Sequence, residues 1–382
     1  MIFMIERKEI LEIIDGYDLD NLCIAVLGSH SALEICRGAK DEDFKTLVIC
    51  QRGREKTYEK YYRSRLKFGK KVGCVDDVII LDKFKDIVKN EVQKEIRDRN
   101  AVIVPHRSFC VYVGYDSIEN NVKIPLFGNR FLLKIEERDV EKNQYYLLEK
   151  SGIPHPRIIR DPSEIDCLVM IKVSEEARSF ERAFFIVSSR EEYYKVSEEL
   201  VRKGITTREK LEKAVIEEFI VGSPFNFNFF YSPLDDEIEL LGIDLRRQTN
   251  IEGITRLPAP LQSELLKYLD IRNIEVGHIA CTLRESLLER VFELAEKFVK
   301  TVREEYPPGV IGPFALQSIV TPGPPREEVF VYDVSVRVPG SPGTKFTPYS
   351  EYLWGHGLSV GRRIAMEIRE AVRLGKLGEL VT

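Results

Sequence analysis

The first 125 residues alternate short apolar runs with amphipathic helical stretches, and this alternation restricts the fold more than any other feature of the chain. NLCIAVLGS, TLVIC, DVIIL and AVIVP read as buried strands: short, rich in β-branched residues and bounded by turn residues. ILEIIDGYD, SALEICRGAK, GREKTYEKYY and KDIVKNEVQKEIRDRN carry helical spacing, and the second of them is expected to close at Gly38. Parallel neighbours need a crossover, and the crossover helix covers a face of the sheet, so this pattern implies a parallel, doubly wound sheet. Ligands of such sheets sit beyond the carboxyl ends of the strands. Two polar loops fall there: Gly28-Ser29-His30-Ser31 after the first strand, and Pro105-His106-Arg107-Ser108 after the fourth.

Residues 126–221 read as a second, smaller unit. A helix over VEKNQYYLLEKSG stops at Gly152 and Pro154; CLVMIKV and RAFFIVSS pair as strands, and AVIEEFIVG is a further strand. Residues 222–382 form a third unit, in which NFNFFYS and EIELLGIDLRR are an antiparallel pair and ESLLERVFELAEKFVKTVREE is a long helix. There GVIGPFALQSIV and FVYDVSVRV read as neighbouring strands, each presenting one oxygen ligand at a similar place, Gln317 and Asp333. Two adjacent strands that aim such side chains into a cleft suit a Mg²⁺ held against a triphosphate. SVGRRIAMEIREAV closes the chain as a helix. The expectation is an α/β (α+β) chain of three units.

A hydrophobic content of 43% supplies a sizeable core. A net charge of −5 without a block of Lys or Arg gives no footprint for nucleic acid. The apolar runs are too short to span a bilayer, and MIFMIERKEILEI lacks a signal-peptide pattern, so cytoplasm is the expected location. The 7 cysteines include no CxxC and lie mostly in apolar runs, as buried reduced thiols do. The charged fraction, 31% with Lys and Glu prominent, suits a thermophile surface.

Several side chains have both a chemical and an ordinary reading. Ser29 and Ser31 can cap a helix whose free N–H groups attract a phosphate, and His30 can bond that phosphate or move a proton; a capped helix with an exposed histidine is the plain alternative. The absence of GxGxxG argues against a nicotinamide cofactor. Ser108 sits at an equivalent strand end, and Arg130, in Phe127-Gly128-Asn129-Arg130, offers a guanidinium for a phosphate. Lys172 can reach a nucleotide phosphate or simply end its strand with the charge in water, and Glu217 or Glu218 can accept from a ribose hydroxyl. Arg246, Arg247, Arg284 and Arg337 are candidates to gather round an anion.

GSHSALEICRGAK, PHRSFCVYVG, FGNRFLLK, EEFIVGSPF, FFYSPLDDEIELLGIDLRRQTNIEGITRLPA, TLRESLL, GPFALQSIV and GRRIAMEIREA follow in order the pattern of one family. From about residue 20 onward the chain resembles the archaeal formate-dependent synthetase of purine biosynthesis. That enzyme makes 5-formamidoimidazole-4-carboxamide ribonucleotide (FAICAR) from the amino precursor AICAR, formate and ATP. The resemblance implies an ATP-grasp fold with a Rossmann-like N-terminal domain over 1–125, a small lid over 126–221 and a catalytic subdomain over 222–382. It implies formyl phosphate as intermediate, ATP and Mg²⁺ as requirements, and a homo-oligomer, trimer or hexamer. By residue it implies His30 and Arg337 as catalytic; His30, Ser31, Ser108, Arg130, Asn250 and Arg284 as AICAR-binding; Lys172, Glu217 and Glu218 as ATP-binding; and Gln317 and Asp333 as metal ligands. The chain departs from the pattern in four places. Where the family carries Glu it has Gln317 and Asp333, its segment 174–181 is acidic and glycine-free in place of a Gly-rich loop, His278-Ile279-Ala280 replaces Asn-Ile-Pro, and 339–345 replaces a GTN stretch. These departures leave a second expectation open: a paralogue that binds nucleotide with weak or no turnover.

Overall fold

The structure is a computed structural model and describes residues 4–138, 140–173, 184–269, 271, 275–323 and 325–382. The first sheet is built from β1 (Cys23–Leu27), β2 (Lys45–Gln51), β5 (Asp77–Leu81) and β6 (Ala101–Ile103), in the order β5-β2-β1-β6, all parallel. These are the four strands expected from the apolar runs. β1 is buried at all five positions, as a central strand covered on both faces must be. An additional short hairpin, β3 (Arg65–Lys67) and β4 (Lys70–Val72), lies between β2 and β5.

Two local expectations are corrected. Gly38 does not end its helix, which runs Ala32–Asp41. A Cβ at Gly38 would lie 2.1 Å from the backbone nitrogen of Arg362, and one at Gly361 would lie 2.5 Å from the carbonyl oxygen of Glu34. The two glycines let this helix and the C-terminal helix Val360–Leu374 touch backbone to backbone, where any larger residue would push them apart. GREKTYEKYY holds only a five-residue π-helical turn, Thr57–Tyr61.

β7 (Ile158–Ile159), β8 (Val169–Lys172), β9 (Phe184–Val187) and β10 (Val215–Glu218) form a second sheet, antiparallel, in the order β7-β10-β8-β9. The acidic segment 174–181 lies outside the described residues. The third sheet is antiparallel with order β13-β12-β11-β14-β15: β11 (Ser223–Ser232), β12 (Glu237–Gln248), β13 (Glu275–Cys281), β14 (Gly312–Thr321) and β15 (Glu328–Ser335). Edge strand β13 had no clear sequence signal, since Gly277 and His278 interrupt its apolar pattern.

The third sheet has one apolar and one polar face. Phe227 and Phe229 of β11 point to a core shared with the helix Leu288–Glu305, where Phe229 stacks on Phe314 at 5.3 Å and Phe314 on Phe298 at 5.9 Å. Each such buried side chain contributes about 1.5–3 kcal/mol through area removed from water. With a period of two, Asn226 and Asn228 must face the other way. That opposite face lines the cleft.

Arg130 is a correction with a clear cause. Its side chain is buried, and its two terminal nitrogens donate to backbone carbonyls: to Ile118 at 3.1 Å, Val122 at 2.7 Å, Ile124 at 3.0 Å, and the main-chain oxygen of Thr382. A guanidinium spent on closing a backbone knot does not reach a ligand phosphate. Arg130 ties the end of the chain to the first sheet.

Candidate active site

At the carboxyl end of β1 the chain turns sharply, and His30 takes a left-handed conformation, φ +50. The ring emerges exposed on the cleft wall and stacks on His106 with centroids 5.5 Å apart and planes at 16°. His106 is fully buried, with Nε2 2.9 Å from the carbonyl oxygen of Leu27, so that nitrogen carries the proton. Its Nδ1 has no hydrogen-bond partner among the described residues. Ser29 donates to Ser108 at 3.1 Å, and Ser31 donates to the carbonyl of Pro339 at 2.9 Å. His30, Ser31 and Ser108 therefore come together from the two strand-end loops as expected, without Arg130.

Arg337 joins them from the segment after β15, which runs beside His106 through a bridge at Val338. It bonds Glu136 at 3.1 Å, a carboxylate that also receives Arg107 at 3.2 Å. Both histidines are held neutral: desolvation is the main cause, His106 and Arg337 lower His30 further, and His106 stands at about 4.

The polar face of the third sheet completes the cleft. Asp244, Asn226, Gln317 and Asp333 lie in register across four strands. Asp244 is fully buried and accepts from Asn226 at 2.9 Å, from Asn228 at 2.6 Å and from Nδ1 of His278. The other ring nitrogen of His278 lies 2.7 Å from Glu275. Burial opposes charge on this histidine, but the hydrogen bonds to two carboxylates prevail and raise it to about 9. Burial likewise pushes Glu275 up, and the bond from His278 with the charge of Arg246, 3.2 Å away, brings it down to about 2. Arg246 also lies in the field of Asp333, so its charge is shared between the His278 group and the Gln317–Asp333 pair.

Beyond Arg246 lies a second group of buried charges. Lys172 of β8 pairs with Glu217 of β10 at 2.5 Å and reaches the carbonyl of Tyr332 at 3.5 Å. Both are buried; Glu217 also accepts from the hydroxyl of Tyr145 at 2.9 Å. Burial raises the Glu217 carboxyl against the pull of Lys172. Glu218 is half-buried, at the end of β10. Asp333 is pushed up by burial and more strongly down by Lys172, Arg246 and Arg138, so it stays ionised.

Gln317 and Asp333 suit a hard cation. Oε1 of Gln317 is buried without a partner among the described residues, and its neighbour in register supplies an ionised carboxylate. Among the described residues no group of three His, Cys, Asp or Glu could hold a metal alone. A Mg²⁺ that takes one or two protein oxygens and completes its shell from phosphates and water needs no more.

One sequence candidate falls elsewhere. Arg284 is exposed and pairs with Glu327 at 2.6 Å on the surface. Asn250 stands at the start of a short helix just past β12, Ile251–Ile254. Glu275 and Asp244 were missed. The alternation of Asn and Phe in FNFNFF was a visible signal for a polar sheet face, but the partners of Asp244 are set by strand register, which one sequence does not reveal.

A synthetase from Methanocaldococcus jannaschii, named for 5-formaminoimidazole-4-carboxamide-1-(beta)-D-ribofuranosyl 5′-monophosphate, is 41% identical over 382 residues, covering 99% of this chain and 100% of its own. The chain belongs to the family of these synthetases. The family models DUF1246, a protein of unknown function, and DUF1297, a domain of unknown function, match residues 24–159 and 192–382. The crystal structure of an IMP biosynthesis protein PurP from Thermococcus kodakaraensis is similar at TM-score 0.68 and 30% identity, covering 94% of this chain and 100% of that one. A biotin carboxylase complex from Campylobacter jejuni aligns at TM-score 0.57 and 10% identity over 90% of this chain and 70% of its own, a likeness of fold alone. The synthetase family shares the ATP-grasp fold, and this chain has it.

Proposed function

We propose that this chain is an ATP- and formate-dependent ligase that converts AICAR to FAICAR through formyl phosphate, in the biosynthesis of IMP. The observation that carries the reading is the meeting of two polar groups at Arg246, in a chain related to such a synthetase along its full length. On one side stand His30, Ser31, Ser108 and Arg337, at the sheet end where a phosphorylated ligand is expected. On the other stand Lys172, Glu217, Gln317 and Asp333, suited to a nucleoside triphosphate.

Each group has a task in this reading. Arg337 and Ser108 bind the ribonucleotide phosphate, and His30 meets the amine at the other end of the substrate. Arg246 attracts formate and orients it between the two sides. Lys172 exchanges its bond with Glu217 for a phosphate oxygen, and Glu218 accepts from the nucleotide's ribose. Gln317 and Asp333 would hold Mg²⁺, which when bound neutralises charge on the transferring phosphoryl group. The unpartnered oxygen of Gln317 keeps an acceptor where the family has a carboxylate, which favours turnover over a role limited to binding.

In the same reading ATP, formate and AICAR are the small-molecule partners and the protein works in the cytoplasm. No helix among the described residues is long and apolar enough to cross a membrane. The assembly is a homo-oligomer, trimer or hexamer; edge strand β13, with exposed Val276 and Ile279, is an apolar surface of the kind such contacts use. Formate labelled with ¹⁸O tests the route. Attack of a formate oxygen on the γ-phosphorus, followed by loss of phosphate from the formyl carbon, places one labelled oxygen in the released phosphate. Unlabelled phosphate would refute the formyl phosphate route.

A further inference from the structure

Three atoms decide which nitrogen of His30 carries its proton. The hydroxyl of Ser31 has one proton, and it lies 2.9 Å from the carbonyl oxygen of Pro339, which can only accept. The same oxygen is 2.8 Å from Nδ1 of His30. With the hydroxyl proton committed to Pro339, the second contact needs a proton on Nδ1. Nε2 is left with its lone pair.

The surroundings of Nε2 suit a proton acceptor. A Cβ built on Gly340 would lie 3.0 Å from Nε2 and 3.4 Å from Oε1 of Glu275, so the absent side chain leaves the nitrogen uncovered on that side, with a carboxylate close by. Glu275 is fixed by His278 and Arg246. On its other face the ring is held by the stacked His106.

We propose that Ser31 is a positioning residue: through Pro339 it fixes His30 as the Nδ1–H tautomer and presents Nε2 to the substrate amine as proton acceptor, with Glu275 stabilising the imidazolium that forms. The inference rests on the functional reading above. The amine nitrogen attacks the formyl carbon; the C–N bond forms, the bond from that carbon to the phosphate oxygen breaks, and phosphate leaves with the electron pair. The amine proton passes to Nε2 and from there to water or phosphate. The nearby charges are consistent with this role. His106, Arg337 and His278 disfavour a second proton on His30, and Glu275 favours it. An anionic nucleotide at Arg337 offsets one of the opposing charges, so His30 becomes a better base when substrate binds.

The test joins nitrogen NMR with kinetics on the full chain. With ¹⁵N-labelled histidine, and His30→Gln to assign the signal, His30 should be protonated at Nδ1 and bare at Nε2 near pH 7.5; the opposite tautomer overturns the proposal whether or not the chain turns over. Ser31→Ala should lower kcat about tenfold or more, a part of the usual 10²–10⁴ of general base catalysis, with KM for AICAR changed less than about threefold. It should also shift the acidic limb of the kcat–pH profile, and Ser31→Thr should recover most of the loss. A rise in KM alone would make Ser31 a binding group and overturn the proposal. If His30→Gln abolishes turnover while Ser31→Ala does not lower it, the positioning role fails and the functional reading stands. If His30→Gln leaves turnover intact, the placing of the amine at His30 fails, and the proposal with it.

Discussion

The two walls of the cleft are built on opposite principles. On the wall around His278 both carboxylates are matched inside the protein: Asp244 takes two asparagines and the imidazolium, and Glu275 takes the imidazolium and the charge of Arg246. On the wall around Asp333 the matching is incomplete. Gln317 has a bare oxygen, and Lys172 is occupied by Glu217, a buried carboxylate whose burial works against its charge. A buried polar atom without a partner costs about 1–3 kcal/mol, so the second wall gains when a ligand supplies the missing partner. The carboxylates of the first wall are arranged in advance; in the proposed reading the second wall would be completed by a cation and phosphates.

The comparison is most exposed at Asp333. Asp333→Asn removes the one carboxylate of the proposed Mg²⁺ pair and should lower ADP release about a thousandfold, a loss of several kcal/mol in stabilising the transferring phosphoryl group. KM for AICAR should hardly change, because the first wall is intact; a parallel rise in that KM would show that the walls are not separate. Where the chain end is tied to the first sheet, Arg130→Ala leaves four carbonyl contacts without a donor and should cost about 3 kcal/mol, read in a denaturant titration. Its folded fraction should keep an ordinary KM for AICAR, which distinguishes a structural arginine from a phosphate ligand.

Next in size is a pH effect on the first wall. His278 is raised to about 9 in the folded chain, above its ordinary 6.5. A raised folded value stabilises the protein fully below pH 6.5, and that contribution is lost as pH rises from there through about 9. The unfolding temperature should fall over this interval more steeply in the unaltered chain than in His278→Ala. Equal slopes would mean that the imidazolium is not formed. The smallest effect belongs to Gln317→Glu. A second charge on the second wall should lower the Mg²⁺ concentration for half-maximal activity about fivefold, equivalent to about 1 kcal/mol, without moving the pH response of the first.

The same contrast explains what the sequence could reveal. Strand–helix alternation made the parallel sheet legible, because apolar runs such as CIAVL have one plausible place in a fold. Gln317 and Asp333 were legible as a pair because both sit mid-strand, and the structure sets them opposite each other. His30, Ser31 and Ser108 were found by the rule of strand ends. Arg130 misled because an arginine in a Phe-Gly-Asn-Arg stretch looks the same whether it meets phosphate or four carbonyls. Gly38 misled because a helix-stopping glycine and one at a helix crossing share a local sequence. Glu275 and Asp244 were invisible for a different reason: their roles depend on His278 and Arg246 arriving from a neighbouring strand, and register between β12 and β13 leaves no mark in either strand alone.

The central claim is that both walls serve one reaction. The direct measurement is ADP release by the purified full chain with ATP, Mg²⁺, formate and AICAR, leaving out one component at a time, with the purine product identified by mass. ADP and FAICAR should form in equal amounts, both dependent on formate and on AICAR. ADP release indifferent to formate, or AICAR and ATP bound with no product formed, would contradict it.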